Sequence, residues 1–303
     1  MSKYFPFLRA KTFELKAVER TSSALVANGK ITPLFEPVRV ATGTIIKRSA
    51  RFASAGLSVG LVMNPHVGEL SGAPQATTQL LAEMRRVGAS VTPVLIVHPG
   101  LQPGEVTAFG AHVQQAQPIY LHYGVPAIGA ISALNTAGPA LNLFVDNATS
   151  TNHQTPFPNR AVLRDGFNSQ VRNANYPPGS FFSDLHLTYM TRSYVGFGDN
   201  KTIGSRYTDG GGPAYAVAIH LTEDRLAQGV YCHHFLSTSN TTPANPAGKF
   251  GEAVASLAQY STANPGKLDF TNACQELLQH HANGTFPGLG EVKRLSIHIT
   301  WSS

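Results

Sequence analysis

Short apolar stretches recur along the chain, and helix-like polar segments separate them. Each stretch is continuously apolar rather than alternating, a pattern typical of strands buried on both faces of a parallel sheet. The strand starts lie roughly 20 to 33 residues apart, which is the size of one β-α unit. The predicted strands are residues 31–38, 58–64, 91–98, 118–123, 141–146 and 160–165. The predicted helices are residues 43–55, 74–88, 103–115, 247–260 and 269–282.

Units of this kind in series fit either a doubly wound sheet or a (β/α)8 barrel. The chain has no glycine-rich strand-to-helix fingerprint of a dinucleotide fold, and this favours the barrel. Three later apolar stretches are available as its closing strands, namely residues 202–204, 214–221 and 230–236. We therefore predict an α/β fold, an irregular (β/α)8, TIM-like barrel that forms a single domain over residues 1–303.

Long loops are expected to distort the second half of this barrel. Residues 149–158 are too few and too polar for a helix, and residues 166–182 form a long loop rich in Asn, Pro and Gly. Residues of these types favour turns over regular elements. The irregularity is therefore expected between residues 149 and 213.

The composition indicates a globular chain. Hydrophobic residues make up 42% of it, enough for a sizeable core, yet no apolar run is long enough for an ordinary transmembrane helix. The first residues lack the apolar stretch of an export signal. Cys232 and Cys274 are too few for a disulfide framework and are interpreted as buried thiols. We therefore expect a cytoplasmic protein without membrane contact.

Positive charge is concentrated at the start of the chain. Residues 1–51 hold ten Lys or Arg but only three Glu, whereas the formal net charge of the whole chain is +6. A basic face raises the local concentration of polyanions. Nucleic acid or another polyanion is therefore a predicted partner, and a solvated helix face is the alternative interpretation.

The predicted strands end in polar residues. In (β/α)8 enzymes the active site forms at the carboxyl ends of the strands, where side chains from several strands converge. We therefore expect a functional cluster at this rim of the barrel. The residues at the ends of the candidate strands are Glu36, Asn64, His98, His122, Asp146, Arg164, Asp165, Asp199 and His220.

Three of these residues form the central prediction. Glu36 lies between Phe35 and Pro37, where a charge is costly unless it is paired. It is therefore either an acid–base group or half of a structural ion pair. With His98 and Asp146 it makes a set that could hold a divalent metal or position water against a phosphate ester. Alternatively, His98 is a core histidine whose hydrogen bonds are satisfied within the protein and which has no functional role.

Other rim residues have supporting roles in this hypothesis. Arg164 suits phosphate recognition and Asp165 is a further catalytic candidate, although a plain salt bridge between them is the alternative. Asn64 begins a polar turn and is a candidate substrate ligand. His233 and His234 are adjacent in a strand pattern, so they point to opposite faces and only one can reach a given site.

Several strong signatures are absent from the sequence. There is no GxSxG elbow, P-loop, HExxH motif, EF-hand loop or Rossmann fingerprint. These absences argue against a serine hydrolase of the elbow type, a P-loop NTPase and a dinucleotide-dependent dehydrogenase.

Several segments also follow one another in a recognisable order: YFPFLRAKTFELKAV, ITPLFEPV, VMNPHVGE, FFSDLHLTY, GFGDNKTIGSRYTDGGGPAYAVAIHLT, HHFLS and PGLGEVKRLSIH. In that order they resemble the bacterial and phage "beta protein"-like family over nearly the whole chain. The resemblance implies a barrel-like α/β fold and a setting of mobile elements or phage defence, often beside a small nuclease-like protein. It implies no catalytic role. The matching segments contain Asp199, Tyr207, Gly211, His220, His234 and Phe235.

Two functional hypotheses follow from these observations. The first is a barrel hydrolase acting on a phosphate ester or nucleic-acid-related substrate, with Asn64, Arg164, Asp199, Tyr207, His220 and His234 as substrate-binding residues. The second is a non-catalytic barrel subunit that binds a co-encoded nuclease-like partner or a peptide. Four aromatic residues, expected to be exposed, motivate the second hypothesis: Phe181, Phe182, Tyr189 and Tyr194.

Overall fold

Eight parallel strands form the main sheet, and each pairs with the next one along it. The computed structural model describes residues 3–113, 117–136, 140–210, 212–268 and 271–297. In chain order the eight strands are β1 (Phe7–Leu8), β2 (Leu34–Phe35), β3 (Val59–Val62), β4 (Val91–Val97), β5 (Ile119–His122), β6 (Leu141–Val145), β7 (Arg160–Arg164) and, after β8 (Gly179–Ser183) of another sheet, β9 (Gly196–Asp199).

The backbone closes this sheet into a barrel. Phe5 donates its N–H to the Phe197 carbonyl at 2.9 Å, and Phe197 donates to the Lys3 carbonyl at 2.8 Å. The segment before β1 therefore pairs with β9, the last strand of the sheet. Gly198 allows this close approach, because a Cβ there would lie 2.3 Å from the Phe5 carbonyl oxygen. The predicted α/β (β/α)8-type barrel is confirmed.

The interior of the barrel is filled by apolar side chains from alternate strand positions, as continuous apolar strands require. Its buried members are Phe5, Phe7, Leu34, Val62, Val94, Ile96, Ile119, Leu121, Leu141, Leu143, Ala161 and Leu163. The opposite faces of the strands pack towards the helices that follow them.

Helices alternate with the barrel strands. They are α1 (Thr12–Asn28), α2 (Gly43–Ala55), α3 (Pro74–Arg86), α4 (Pro103–Gly110), α5 (Ile128–Thr136) and α6 (Thr151–Gln154), and a further one-turn helix, α7 (Leu185–Thr188), follows β8 of the other sheet. Proline begins α3 and α4, where its missing N–H leaves no intrahelical bond unmade. The bounds predicted for α2 are confirmed at both ends, whereas α4 ends at Gly110 and residues 114–115 of its predicted range lie outside the described part of the chain.

A separate antiparallel sheet contains three strands in the order β10 (Ala218–Asp224), β11 (Val230–Leu236), β8. The helices α8 (Pro246–Ala263), α9 (Asn272–Ala282) and α10 (Leu289–Ile297) pack on one face of it. Contacts divide the chain into two compact units: the first unit is residues 1–165 and 188–200, and the second is residues 166–187 and 201–303. The barrel lies in the first unit, and a single domain over residues 1–303 stays a prediction.

The prediction of the closing strands was wrong. Residues 201–203 form a short 3-10 turn, and β10 and β11 are antiparallel strands of the other sheet. The barrel is instead closed by β1 and β9, which are only two and four residues long. Strands this short carry too few side chains for an apolar pattern to stand out from the loops around them.

The region expected to be irregular also contains regular elements. Residues 149–158 include the one-turn helix α6, whose first turn is capped by the Ser150 hydroxyl accepting from the His153 N–H at 3.3 Å. The predicted loop 166–182 ends in β8. Among the described residues, no helix has the length and apolar character required to cross a membrane.

Candidate functional site

Strand alternation decides which side chains reach the mouth of the barrel, the end at which the parallel strands finish. Every second side chain of a strand points inward, so the residue two positions beyond the last interior residue lies at the mouth. Phe7, Leu34, Ile96 and Leu163 are such interior residues. Counted in this way from all eight strands, the mouth residues are Arg9, Glu36, Asn64, His98, Tyr123, Asn147, Asp165 and Asn200.

A buried ion pair belongs to this mouth. Arg9 Nη1 donates to Glu36 Oε2, and the two side chains are only 10% and 1% exposed. Glu36 Oε1 accepts the backbone N–H of His66 at 2.7 Å. The backbone N–H of Arg9 donates to Glu14 Oε2 at 2.7 Å. Both oxygens of Glu36 are therefore engaged. The structure shows the ion pair that was one of the two interpretations of Glu36.

Two imidazoles meet beside this pair. The rings of His66 and His98 lie 4.5 Å apart, edge to face, and the Tyr123 ring lies 6.3 Å from that of His66. Burial of part of the ring, with repulsion from His98 and Arg9, lowers the pKa of His66 to about 4. His66 is partly open to solvent, and with this lowered pKa its imidazole is neutral at pH 7 and can accept a proton.

Tyr123 adds a hydroxyl that keeps its proton. Burial raises the pKa of Tyr123, an effect that Arg9 opposes and Asp165 reinforces. The predicted catalytic residue Asp165 is thus close enough for its charge to act on Tyr123, and its own side chain is exposed. We refer to Arg9, Glu36, His66, His98 and Tyr123 as the mouth cluster.

Asn64 has a structural role at the mouth. Its side chain donates to the Ile96 carbonyl at 2.9 Å and accepts the Ile96 N–H at 2.8 Å. The amide group therefore joins the end of β3 to β4, and its hydrogen-bonding groups are directed to the backbone. The predicted role of Asn64 in substrate binding gains no support from these contacts.

Asn200 is the residue of the mouth with the most unusual surroundings. It is 1% exposed, and neither its Oδ1 nor its Nδ2 has a hydrogen-bond partner among the residues that the structure describes. It follows Gly196 and Gly198, whose missing Cβ atoms face Phe5 and Leu163 of the barrel interior. A buried amide without partners is rare and is normally satisfied by water or a ligand.

A cavity of about 460 Å³ adjoins the mouth cluster, between the ends of β3 and β4 and the helices that follow them. His66 and His98 line its polar side together with Glu105. Its remaining wall is largely apolar, with contributions from Met63, Pro65, Pro74, Leu95, Ala108 and Phe109. The cavity therefore suits a ligand with an apolar body and a polar group directed at the two imidazoles.

Asp146 and Arg164, two of the predicted site residues, do not join the mouth cluster. They are one position out of step with the interior residues, so alternation turns them outward. Asp146 accepts from Arg164 Nε at 2.8 Å and from Arg192 Nη2 at 2.8 Å. Burial alone would raise the pKa of Asp146, but these hydrogen bonds lower it. The salt-bridge alternative for Arg164 is the one observed, with Asp146 as a partner.

Asp199 and His122 are turned away for the same reason. The Tyr4 hydroxyl donates to Asp199 Oδ2 at 2.7 Å. His122 is fully buried, with Nε2 3.1 Å from Asn142 Oδ1 and Nδ1 3.4 Å from His153 Nε2. Burial, with a smaller contribution from His153, lowers the pKa of His122 to about 3 although the Asn142 hydrogen bond opposes this. Both residues stabilise the layer between strands and helices.

The remaining predicted residues belong to the second unit. His220 and His234 face each other, with their Nδ1 atoms 2.8 Å apart, whereas His233 is on the opposite face with Glu223. The opposite orientations of His233 and His234 are as predicted. Tyr207 donates its hydroxyl proton to Asp209. Phe235 is buried against the helices of this unit, and Gly211 lies outside the described residues.

The predicted metal ligands are not gathered into one group. Among the described residues, His220, Cys232 and His234 are the one set of three whose ligand atoms are close enough for a metal ion. Glu36, His98 and Asp146 form no such set, because Asp146 points outward to Arg164 and Arg192. A metal ion at the barrel mouth therefore stays a prediction.

The basic residues of the first 51 positions are partly engaged in ion pairs. Glu19 of α1 pairs with Arg48 and Arg51 of α2, and Glu69 pairs with Arg39 at 2.6 Å. With Arg9, at least four of the ten basic residues are therefore balanced by carboxylates. Two of them, Arg48 and Arg51, join α2 to α1 through Glu19. Nucleic acid or another polyanion as a partner stays a prediction.

The aromatic residues expected to be exposed are mostly covered. Phe182 and Tyr189 are 5% and 6% exposed, whereas Phe181 is 46% exposed. The Tyr194 hydroxyl donates to Gln154 Oε1 at 2.7 Å. The expectation of an exposed aromatic surface was therefore wrong for Phe182 and Tyr189, because apolar cores of their own units cover them.

Comparisons with known proteins add little to this site. The chain matches no family model, and no curated protein is significantly similar to it. A crystal structure of KD(P)GA from T. tenax matches 66% of this chain and 69% of that chain, with 11% identity and a TM-score of 0.36. We draw no functional conclusion from a likeness of this size. The resemblance to the "beta protein"-like family stays a prediction.

Several residues at the mouth were missing from the predicted site, among them Arg9, His66, Tyr123 and Asn200. Tyr123 lies one residue beyond His122 and shares the inward orientation of Leu121, so alternation would have selected it. Arg9 and Asn200 follow strands that were not predicted. His66 is placed by the turn after β3, and no periodicity in the sequence carries that information.

Proposed function

We propose that the barrel mouth is the active site of a hydrolase for a small ester with an apolar body, a phosphate monoester being the substrate class to test first. The observation that carries this proposal is the mouth cluster, in which a neutral imidazole, a second imidazole and a protonated phenol lie beside a buried Arg–Glu pair. Groups with perturbed pKa values beside a cavity are typical of active sites.

The cavity beside the mouth cluster supports this substrate class. An apolar alcohol portion fits the wall formed by Met63, Leu95 and Phe109, and this orients the ester group towards His66 and His98. Burial of such a body contributes binding free energy of about 25 cal/mol per Å² of apolar surface. Asn200 supplies further hydrogen-bonding capacity at the carboxyl end of β9.

The proposed reaction uses water as the nucleophile. His66 accepts a proton from water, the water oxygen forms a bond to phosphorus, and the bond from phosphorus to the alcohol oxygen breaks. Tyr123 gives its proton to the departing alcohol oxygen and later recovers one from His66 through solvent. A general base works best when its pKa is near the operating pH. Burial, His98 and Arg9 lower the pKa of His66, and the negative charge of a bound substrate beside the ring raises it again.

Arg9 and Glu36 position the other groups rather than hold the substrate by charge alone. The guanidinium and the carboxylate balance each other, and Glu36 fixes the backbone of His66 through its Oε1. The phosphoryl oxygens would therefore draw mainly on neutral donors. We expect the dependence of substrate binding on salt to be weak, in contrast to a site that collects polyanions.

Turnover of a panel of aryl esters tests this proposal. We expect hydrolysis of p-nitrophenyl phosphate, and a loss of kcat/KM of about 10²- to 10⁴-fold in both His66→Gln and Tyr123→Phe. Asp146→Asn is the matched control, because its carboxylate points away from the mouth. An EDTA arm tests the predicted divalent metal.

Two results would reject the active site. One is the absence of turnover for every ester in the panel, and the other is turnover that His66→Gln and Tyr123→Phe leave unchanged. Binding of an ester without turnover would instead support the second hypothesis, a non-catalytic barrel that binds a peptide or a nuclease-like partner. The nucleic-acid substrate is a further proposal that rests on the polar strand ends and the basic N-terminal residues, and the phage-defence setting is one that rests on the family resemblance.

A further inference from the structure

We propose that His220, Cys232 and His234 in the second unit form a binding site for a transition-metal ion such as zinc, with one coordination position open to a cavity. One ring nitrogen of each histidine and the Sγ of Cys232 all lie within 4.8 Å of one another. This site is separate from the mouth cluster and does not depend on the hydrolase proposal.

The pairing of two strands places these three residues on one face. His220 of β10 lies directly opposite His234 of β11 in the antiparallel register. Cys232 precedes His234 by two residues, so alternation puts both side chains on the same face of β11. His233, between them, points to the helix-covered face and contacts Glu223. The cluster therefore follows from strand register rather than from a short sequence motif.

The distances suit a tetrahedral metal ion. Nδ1 of His220 lies 2.8 Å from Nδ1 of His234, and Sγ of Cys232 lies 3.8 Å from Nδ1 of His234. Zinc bonds of about 2.0–2.1 Å to nitrogen and about 2.3 Å to sulfur imply ligand atoms roughly 3.3–3.6 Å apart. For these two distances the required change is a few tenths of an ångström, and the ligand atoms of all three residues lie within 4.8 Å of one another, so side-chain rotations bring the set to the geometry of a bound ion. Two imidazoles and one thiolate are ligands that zinc and copper ions prefer.

Ser180 of β8 fixes the orientation of one ligand. Its hydroxyl lies 3.0 Å from Nε2 of His234. If Nε2 carries the proton and donates to Ser180, then Nδ1 of His234 has its lone pair directed at His220 and Cys232. Histidines that bind metals usually donate their other ring N–H to a partner in this way. Ser180 is thus a positioning residue for the site.

Apolar rings and an adjoining cavity complete the arrangement. Tyr176 packs against both imidazoles, with ring centres 4.7 Å from each, and Phe167 lies 5.0 Å from His220. His220 also lines a cavity of about 540 Å³, whose wall includes Arg206. Three protein ligands with the fourth position open to a cavity is the pattern of catalytic rather than structural zinc sites.

Metal binding at this cluster releases one proton. The incoming divalent ion forms bonds to both imidazole nitrogens and to sulfur, and the S–H bond of Cys232 breaks so that its proton passes to solvent. In the absence of a metal, the same groups make a hydrogen-bond chain from His220 through His234 to Ser180. The experiment must therefore distinguish a metal site from such a chain.

Cobalt(II) titration of the full-length, chelator-treated protein makes this distinction. We expect one ion per chain and a thiolate-to-cobalt charge-transfer band, which Cys232→Ser abolishes and the matched variant Cys274→Ser keeps. Cys274 is an equally buried thiol in the helix-facing core. Zinc should displace the cobalt. Ser180→Ala should bind cobalt about 10- to 100-fold more weakly, the usual effect of removing a partner of a metal-bound histidine.

Thermal unfolding with and without zinc provides the second measurement, in case Cys232→Ser folds poorly. A metal that binds only the folded chain raises its Tm. We expect this rise in the wild-type protein and in Cys274→Ser, and no rise in His220→Gln. The proposal is wrong if no charge-transfer band forms, if the band survives in Cys232→Ser, or if zinc raises the Tm of His220→Gln as much as that of the wild type.

Discussion

Asp146 shows how one position along a strand decides the role of a side chain. It directly follows β6 and was predicted to be catalytic for that reason. Its carboxylate nevertheless lies between two guanidinium groups, at 2.8 Å from each. Hydrogen bonds between charged groups contribute about 1.5–3 kcal/mol each when they are shielded from solvent. The Arg192 side chain is 36% exposed, so solvent screening reduces its share. Asp146 is therefore a stabilising residue of the barrel.

Replacing this carboxylate should reduce stability and change its dependence on pH. We expect Asp146→Asn to lower the free energy of unfolding by about 1–3 kcal/mol at pH 7. The folded pKa of Asp146 lies below the ordinary value of 3.8. Its contribution is therefore present above that value and is lost as pH falls through the lowered pKa. Urea unfolding at pH 7 and pH 3 measures both effects, and equal stability of the two proteins at pH 7 would contradict the assignment.

Replacing Asn200, by contrast, should not reduce the stability of the protein. Its buried amide has no partner among the described residues, and an unsatisfied buried polar group costs about 1–3 kcal/mol. We expect Asn200→Leu, which has a similar shape, to equal or exceed the wild type in thermal stability. It should also bind a phosphate ester analogue about tenfold more weakly, the loss of one hydrogen bond of about 1.4 kcal/mol. A clear loss of stability with unchanged affinity would show that the amide is structural.

At this scale the sequence predicted the kinds of residue better than their directions. Glu36, His98 and Asp165 were selected as strand-end residues, and all three belong to the mouth or act on it. Asp146, Arg164 and Asp199 were selected by the same rule but point outward. The distinction requires the interior residue of each strand to be known, because a shift of one position reverses the direction of a side chain.

Among the elements, the contact between the segment before β1 and β9 is the one that closes the barrel. Glycine at positions 196 and 198 lets the two backbones approach, since a Cβ at Gly196 would lie 2.7 Å from the Lys3 carbonyl oxygen. The hydrogen bonds across this contact are 2.8 and 2.9 Å long. Gly196 and Gly198 are therefore required by the close approach of two backbones, which the sequence alone does not reveal.

Adding one methyl group at this contact should open it. We expect Gly198→Ala to lower the free energy of unfolding by at least about 1–3 kcal/mol, the usual cost of overpacking, because the obstructing atom is backbone oxygen. Gly110→Ala is the matched control in the same unit, since a Cβ there meets nothing within 4 Å. It should leave stability unchanged or raise it by about 0.4–1 kcal/mol. Equal effects of the two substitutions would contradict the role given to Gly198.

The long strands and helices were predictable, and the short elements were not. β4 is seven residues long and continuously apolar, so its pattern is unmistakable. β1 and β2 each have two residues, and β1 was missed because its apolar pair lies among other apolar residues. The antiparallel pairing of β10 with β11 was also missed, since apolar composition does not state which sheet a strand joins.

At the scale of the whole molecule, buried neutral histidines make the free energy of unfolding depend on pH. Burial lowers the pKa of His122 to about 3, whereas an unfolded histidine titrates near 6.5. Between these two values the unfolded chain binds more protons than the folded chain, so stability falls as pH is lowered. His153, beside His122, has its pKa lowered by burial as well. Both residues therefore make the folded state less stable as the pH is lowered.

This acid dependence can be assigned to His122 by substitution. We expect the Tm of the wild-type protein to fall between pH 7 and pH 5, and His122→Phe to show a smaller fall. Phenylalanine keeps the packing against Phe144 and Phe157 but removes the titrating group. It also leaves Asn142 Oδ1 without its present donor, so its Tm at pH 7 should be lower. The test is the difference between the Tm at pH 7 and the Tm at pH 5 in each protein. An identical fall of Tm in both proteins would exclude His122 as a source of the acid dependence.

The pKa of His66 tests the central claim, that the barrel mouth binds a small anionic ester, most directly. NMR titration of the His66 imidazole should give a pKa of about 4 in the free protein. Saturation with phenyl phosphonate, an analogue that cannot be hydrolysed as an ester, should raise that pKa because the bound anion offsets the charge of Arg9. A pKa of His66 that saturating phenyl phosphonate leaves unchanged would contradict the claim.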